Sequence, residues 1–320
     1  MFIPRKIIAF LLAIFFILTL VICCYNFSGE NNPAMEFRKH NNTFALSLPN
    51  HLQFAGEDLD FSDAEIAERF DREMHINVYW QSQTIITLKK CARWFPAIEP
   101  ILKAQGVPDD FKYLAVAESN FSNVVSPSGA AGFWQFMPDA ARQYKLIVNE
   151  EIDERYHVEK ATVAACNYLK ESKLKFGSWL LAAASYNMGV EGVQTALQTQ
   201  QVKRYQDLLL NEETSRYVFR IAALKSVIVN SETFGFLLKK SDYYTPYEYD
   251  ILTTDSNITN LAEFALSKKI NYKTLKLLNP WLRKNTLTLI GNIPVPLKIL
   301  KKDYRSFKMY DDKILNKDSI

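Results

Sequence analysis

From Phe61 to about Ser241, apolar residues recur at the three- and four-residue spacing of helices, and almost no stretch alternates residue by residue. Each such helix must bury one stripe against its neighbours, so the span predicts an α-helical domain. The punctuation agrees. Ser62 or Asp63 is placed to cap "AEIAERFDREM". "YWQSQTIITLKKCARWFPAIEPILKAQG" predicts two helices parted near Pro96 and ending at Gly106, and "PDDFKYLAVAES" opens with a start signal. "EKATVAACNYLKESKLKFG" closes on Gly177, and Ser178 caps "SWLLAAASYN".

The flanks read differently. Arg5 and Lys6 precede "IIAFLLAIFFILTLVICCY", an uncharged run long enough to cross a bilayer as a helix. Basic residues on its N-terminal side predict a transmembrane anchor over residues 1–25, with everything later outside the cytoplasm. A lipoprotein reading would use Cys23 or Cys24, against which stands the bulky Ile22. Residues 26–60 are polar and irregular and read as a tether. Residues 61–241 make the helical domain, 246–300 a small unit, and 301–320 a basic tail. In the small unit, Tyr247–Leu252 and "LTLIGNIPVPLKI" read as strands enclosing two helices, a β-α-α-β order.

Charge and cysteine content narrow the function classes. A net charge of +3 gives no footprint for nucleic acid. Basic residues outnumber acidic ones roughly three to one from Lys268 onward, which reads first as a solvated tail. Cys91 and Cys166 are left once the membrane segment is set aside; they either pair or remain buried free thiols. The four histidines are scattered, no ligand cluster has zinc spacing, and no metal or cofactor is expected.

One acid stands out. Phe111, Leu114, Ala115 and Glu118 fall at i, i+3, i+4 and i+7, so the carboxylate lies on the stripe turned to the core. Burial without a basic partner raises a carboxyl pKa and suits it to donate a proton near neutrality. Position alone leaves a second reading, a packed structural acid, and favours it. Downstream, "SPSGAAGFWQFMP" joins a Gly-rich loop to Trp134, Gln135 and Phe136, rings and an amide of the kind an N-acetylated sugar needs. "ASYNMG" sets Tyr186 and Asn187 at a helix end. Asp109, Asp110 and Asp139 lie at helix starts and read as caps, which leaves no partner carboxylate for Glu118.

In order, "AVAESNF", "SPSGAAGFWQFMP", "SYNMG" and "ETSRYV" resemble the motifs of the family 1 lytic transglycosylases, over about Phe70 to Tyr217. The resemblance implies a lysozyme-like helical catalytic domain of the goose type. It also implies an enzyme that cleaves the β-1,4 bond between N-acetylmuramic acid and N-acetylglucosamine in peptidoglycan, leaving 1,6-anhydromuramoyl ends. On the matching positions Glu118 is the catalytic acid/base. Ser119, Ser126, Gln135, Met137, Tyr186, Asn187 and Tyr217 are the substrate-binding residues. Met188 departs from the commoner small residue. "LLNPWL" resembles the Asn-Pro turn of LysM modules, which bind N-acetylglucosamine polymers; the usual Gly-Asp-Thr start is replaced by "TTDSNIT". The expected partners are therefore peptidoglycan glycan strands and, through the anchor, a membrane, on the periplasmic side of a bacterial envelope. A muramidase that uses water, or a non-catalytic wall-binding protein, are the alternatives.

Overall fold

The computed structural model describes residues 18–19, 43–49, 51–291 and 293–301. Among the described residues, no helix is long and apolar enough to cross a membrane. The apolar run expected to span one lies outside them except for Leu18 and Thr19, and the basic tail lies outside them except for Lys301. The described residues from Leu46 onward form one compact unit, which is the one considered below.

Residues expected to be part of an irregular tether instead contribute a short antiparallel hairpin, β1 (Leu52–Phe54) and β2 (Glu57–Leu59). Ala55 and Gly56 turn it with positive φ, and Phe54 and Leu59 are completely buried in the main core. With Phe54 and Leu59 its only fully buried side chains, the hairpin is held by what it packs on rather than by its own pattern.

The helices follow as α1 (Ala64–Tyr79), α2 (Gln81–Ala104), α3 (Lys112–Ser119), α4 (Pro138–Gln143), α5 (Val158–Phe176), α6 (Trp179–Met188), α7 (Val190–Gln200) and α8 (Glu212–Val229). Asp63, not Ser62, caps α1, accepting from the amides of Glu65 and Ile66 at 2.9 and 3.4 Å. The expected break at Pro96 does not occur. The chain breaks instead at Trp80, whose φ and ψ of −85° and 58° part α1 from α2. Pro96 and Pro100 sit on the exposed side of α2, where solvent serves the carbonyls they leave unpaired, while Ile98 and Leu102 are fully buried opposite. α5 ends on Gly177 in the left-handed region, and Ser178 caps α6.

The aspartates expected to cap helices are ion-paired instead. Asp109 and Asp139 face Lys112 and Arg142 three residues on, and Asp110 accepts from the Ala55 amide and from Lys225, at 2.7 Å each. Asp110 therefore pins the hairpin to α8. That helix packs on α1, α3 and α6, while α5 packs on α2 and α6, so α3 lies within a helical layer on either side.

The C-terminal residues fold as β3 (Tyr249–Thr254), α9 (Leu261–Ser267), α10 (Tyr272–Leu278) and β4 (Val295–Leu300), with β3 starting two residues later than expected. The strands pair antiparallel, Tyr249 opposite Leu300 and Thr254 opposite Val295. The asparagine of the Asn-Pro turn explains itself: Asn279 is fully buried, donates to the Leu275 and Lys298 carbonyls and accepts from the Lys298 amide at 2.9 Å. One side chain thus ties α10 to β4. This small core includes Ala131, Ile152 and Tyr156 from the helical domain.

Candidate active site

α3 is only two turns long and stops abruptly. Asn120 and Phe121 both take positive φ, 46° and 49°, and the Asn120 amide closes on the Val116 carbonyl. Glu118 is thereby held one residue from the helix end. Its neighbour Ser119 donates to the Phe133 carbonyl at 2.9 Å, fastening the helix end to the Gly-rich loop.

That loop is built on backbone contacts. Ser126 accepts the Ala130 amide on its hydroxyl and donates its own amide to the Ala130 carbonyl, at 3.0 and 2.8 Å. Gly132 has φ of +78°, and a Cβ there would sit 1.9 Å from the Arg155 carbonyl oxygen, so only glycine fits. Arg155 itself is buried beside Asp153, pairing with it through Nη2 at 2.7 Å. It also donates to the Gly129 and Phe136 carbonyls at 2.8 and 3.1 Å, bolting both ends of the loop. Gln135, with φ of 48°, donates its amide to the Gly132 and Val124 carbonyls. Met137 stands exposed at the start of α4.

Two expected sugar-facing rings are not available. Trp134 is completely buried, its indole nitrogen donating to the Thr162 hydroxyl at 2.9 Å, and Phe136 is buried as well. Gln135 between them is half-buried, so its strained φ turns the amide one way and both rings into the core.

The other motif residues close around the acid. Tyr186 donates to the Trp134 carbonyl at 2.8 Å and meets Tyr168 edge-on with ring centroids 5.1 Å apart. Asn187 accepts from the Thr214 hydroxyl and donates to Glu213, both at the start of α8. One turn further on, buried Tyr217 donates its hydroxyl directly to Oε1 of Glu118.

These surroundings set the proton affinity of Glu118. Burial is the dominant cause and pushes its pKa up to about 7; the Tyr217 hydrogen bond and the Arg220 charge oppose it, and the Glu213 charge adds to it. The residue keeps some solvent access, but the protein packed around its carboxylate outweighs that opening. The Tyr217 phenol is driven well above its ordinary value by the same burial and by the adjacent carboxylate, so it stays a donor. An acid that changes charge near neutrality, with one donor fixed on it, can give up a proton and take one back.

The structure thus brings Glu118 and Tyr217 into contact and joins Ser119, Gln135 and Tyr186 through the Gly-rich loop. Ser126 shapes that loop, Asn187 is tied to α8, and the Met137 side chain stands exposed. Sequence reading missed Arg155, Glu213 and Arg220. The last two had a signal: Glu213, Tyr217 and Arg220 lie four and three residues apart, on one face of α8. Arg155 had none, since its partners are backbone atoms of a loop read only as glycine-rich.

Against known proteins, residues 96–209 of the helical region match the transglycosylase SLT domain, and residues 251–295 match the soluble lytic transglycosylase C-terminal LysM-like domain. The chain is similar to the membrane-bound lytic murein transglycosylase D of Escherichia coli (strain K12), with 30% identity over 196 residues. That match covers 59% of this chain and 43% of the relative, so it spans less than half of the relative's length. The crystal structure of the 70 kDa soluble lytic transglycosylase of Escherichia coli aligns with a TM-score of 0.37 and 19% identity, over 48% of this chain and 27% of that one.

Proposed function

We propose that this protein is a peptidoglycan lytic transglycosylase that cleaves between N-acetylmuramic acid and N-acetylglucosamine with Glu118 as its one acid/base. The observation that carries the reading is the buried carboxyl of Glu118, with a pKa of about 7 and a fixed Tyr217 donor. Protonated, Glu118 gives its proton to the glycosidic oxygen as the bond to muramic C1 breaks. The substrate's own N-acetyl group stabilises the positive charge that develops there. Now a carboxylate, Glu118 takes the proton of the muramic C6 hydroxyl, whose oxygen closes on C1. Tyr217 steadies the ionised form, Asn187 and Tyr186 border the acid, and Ser119, Ser126 and Gln135 set the loop beside it. Ser126, Gln135, Met137, Tyr186 and Asn187 are the proposed sugar contacts.

A hydrolytic reading has one observation in its favour. Glu213 is a second carboxylate close enough to raise the Glu118 pKa, and a second acid is what ordinary glycosidases use to activate water. Mass spectrometry of purified wall after digestion separates the two. Products lighter by one water than the reducing-end species support the lyase; reducing ends alone overturn it. Loss of both products in Glu118→Gln ties the chemistry to that side chain.

The similarity to a membrane-bound enzyme of the wall also supports a place in the bacterial envelope, with residues 1–25 as anchor, 26–60 as a leading segment whose Leu52–Leu59 hairpin docks on the 61–241 catalytic domain, and 246–300 as a glycan-binding module. Membrane fractionation of the full chain tests the anchor: recovery in the soluble fraction alone counts against it.

A further inference from the structure

A cavity of about 230 Å³ opens between α2, the turn after α3 and the C-terminal unit. None of Glu118, Gln135, Tyr186 or Tyr217 lines it. Its walls pair aromatic rings with cations: Trp94 and Tyr247, their centroids 6.1 Å apart, stand beside Lys90 and Arg93. Arg93 lies over the Tyr247 ring at 4.4 Å and donates to the Thr245 carbonyl and Tyr247 hydroxyl. Lys90 donates to the Asn120 carbonyl and the Ser122 hydroxyl at 2.9 and 2.7 Å. Among the described residues, no carboxylate pairs with either cation. The one acid in the lining, Glu159, is already neutralised by Lys298 at 2.5 Å and faces His157.

Two half-buried cations resting on neutral partners gain from an anion that completes them. Burial already lowers the pKa of Lys90. Aromatic walls favour the C–H face of a sugar ring, and the volume falls short of the roughly 300–1,000 Å³ of larger ligand pockets, so it admits one ring and not a strand. We propose that this cavity binds a single carboxylate-bearing amino sugar of the N-acetylmuramic acid class, its acid between Lys90 and Arg93 and its ring against Trp94 and Tyr247. The choice of sugar rests on the wall substrate proposed above, but binding here needs no turnover. Because Lys90 also holds the turn that ends α3, occupancy is felt one residue beyond Ser119.

The test is calorimetric titration of the full chain carrying Glu118→Gln with N-acetylmuramic acid and, separately, with N-acetylglucosamine, which lacks the lactyl carboxylate. The acidic sugar is expected to bind at least tenfold more tightly, and to weaken as salt is raised. Lys90→Met is expected to cost tenfold or more. Asn123→Glu, which sets a negative charge at the exposed rim without touching the cation contacts, is expected to do the same. Equal affinity for the two sugars, no binding of the acid, or binding unchanged in the Asn123→Glu protein overturns the proposal. None of these outcomes bears on wall cleavage, which is read from the digestion products of the unmodified enzyme.

Discussion

The hydroxyl of Tyr217 donates to Oε1 of Glu118, joining residues 99 positions apart. The bond favours the ionised carboxylate and works against the burial that favours the acid. Tyr217→Phe therefore raises the Glu118 pKa further. A hydrogen bond to a charged group is worth about 1.5–3 kcal/mol, and one pKa unit about 1.4 kcal/mol, so the alkaline limb of wall solubilisation should move up by about a unit. A pH–rate profile that does not move, or moves down, removes the donor from its role.

Glu73 works with the opposite sign. It is fully buried, faces Arg216 at 2.6 Å and Arg220 at 3.8 Å, and so offsets the charge that Arg220 presents to Glu118. In Glu73→Gln the uncompensated guanidinium lowers the Glu118 pKa, and the alkaline limb retreats to lower pH. Loss of a buried ion pair's partner also costs about 3–5 kcal/mol, which chemical denaturation will register.

Glu118 also carries a stability cost that depends on pH. Its folded pKa is about 7, above the ordinary 4.5, so the folded state binds the proton more tightly and loses stability as pH rises from 4.5 to 7. The full cost of ionising it, about 3 kcal/mol as an upper bound, is reached above pH 7. Glu118→Gln should thus abolish wall cleavage, by about 10²–10⁴-fold for the acid/base step alone, yet melt higher than the parent at pH 8 and level with it near pH 4. Parallel melting curves at both pH values would show that the carboxyl is not desolvated.

Gly132→Ala places a methyl group in the Arg155 carbonyl, 1.9 Å away, at a φ of +78°. Either the loop or the Arg155 segment must move, at a cost of about 2–4 kcal/mol. Thermal unfolding checks the stability, and faster protease cleavage between Ser126 and Met137 checks that the loop has come loose.

Most helix boundaries were legible because their causes are local. Caps such as Asp63 and Ser178 act within three residues, a terminal glycine such as Gly177 acts on its own turn, and a buried stripe repeats every three or four positions. The exceptions obey the same logic from the other side. Pro96 is tolerated because its face of α2 meets solvent, and the hairpin at Leu52–Leu59 exists because Phe54 and Leu59 find a core made by residues far along the chain. Neither fact is written near those residues.

The same division runs through the site. By itself the sequence determined that Glu118 lies on a buried stripe, that a glycine-rich loop and a Tyr-Asn helix end follow it, and that a compact β-α-α-β unit follows the helical domain. Only the tertiary structure decided that Trp134 faces the core and not a ligand, that Arg155 bolts the loop, and that Tyr217 is the group on the carboxylate. The physical reason is range: backbone hydrogen bonding and helical spacing are settled over a few residues. A pKa sums burial and charge over every group packed around one atom, and those groups come from helices that only folding brings together.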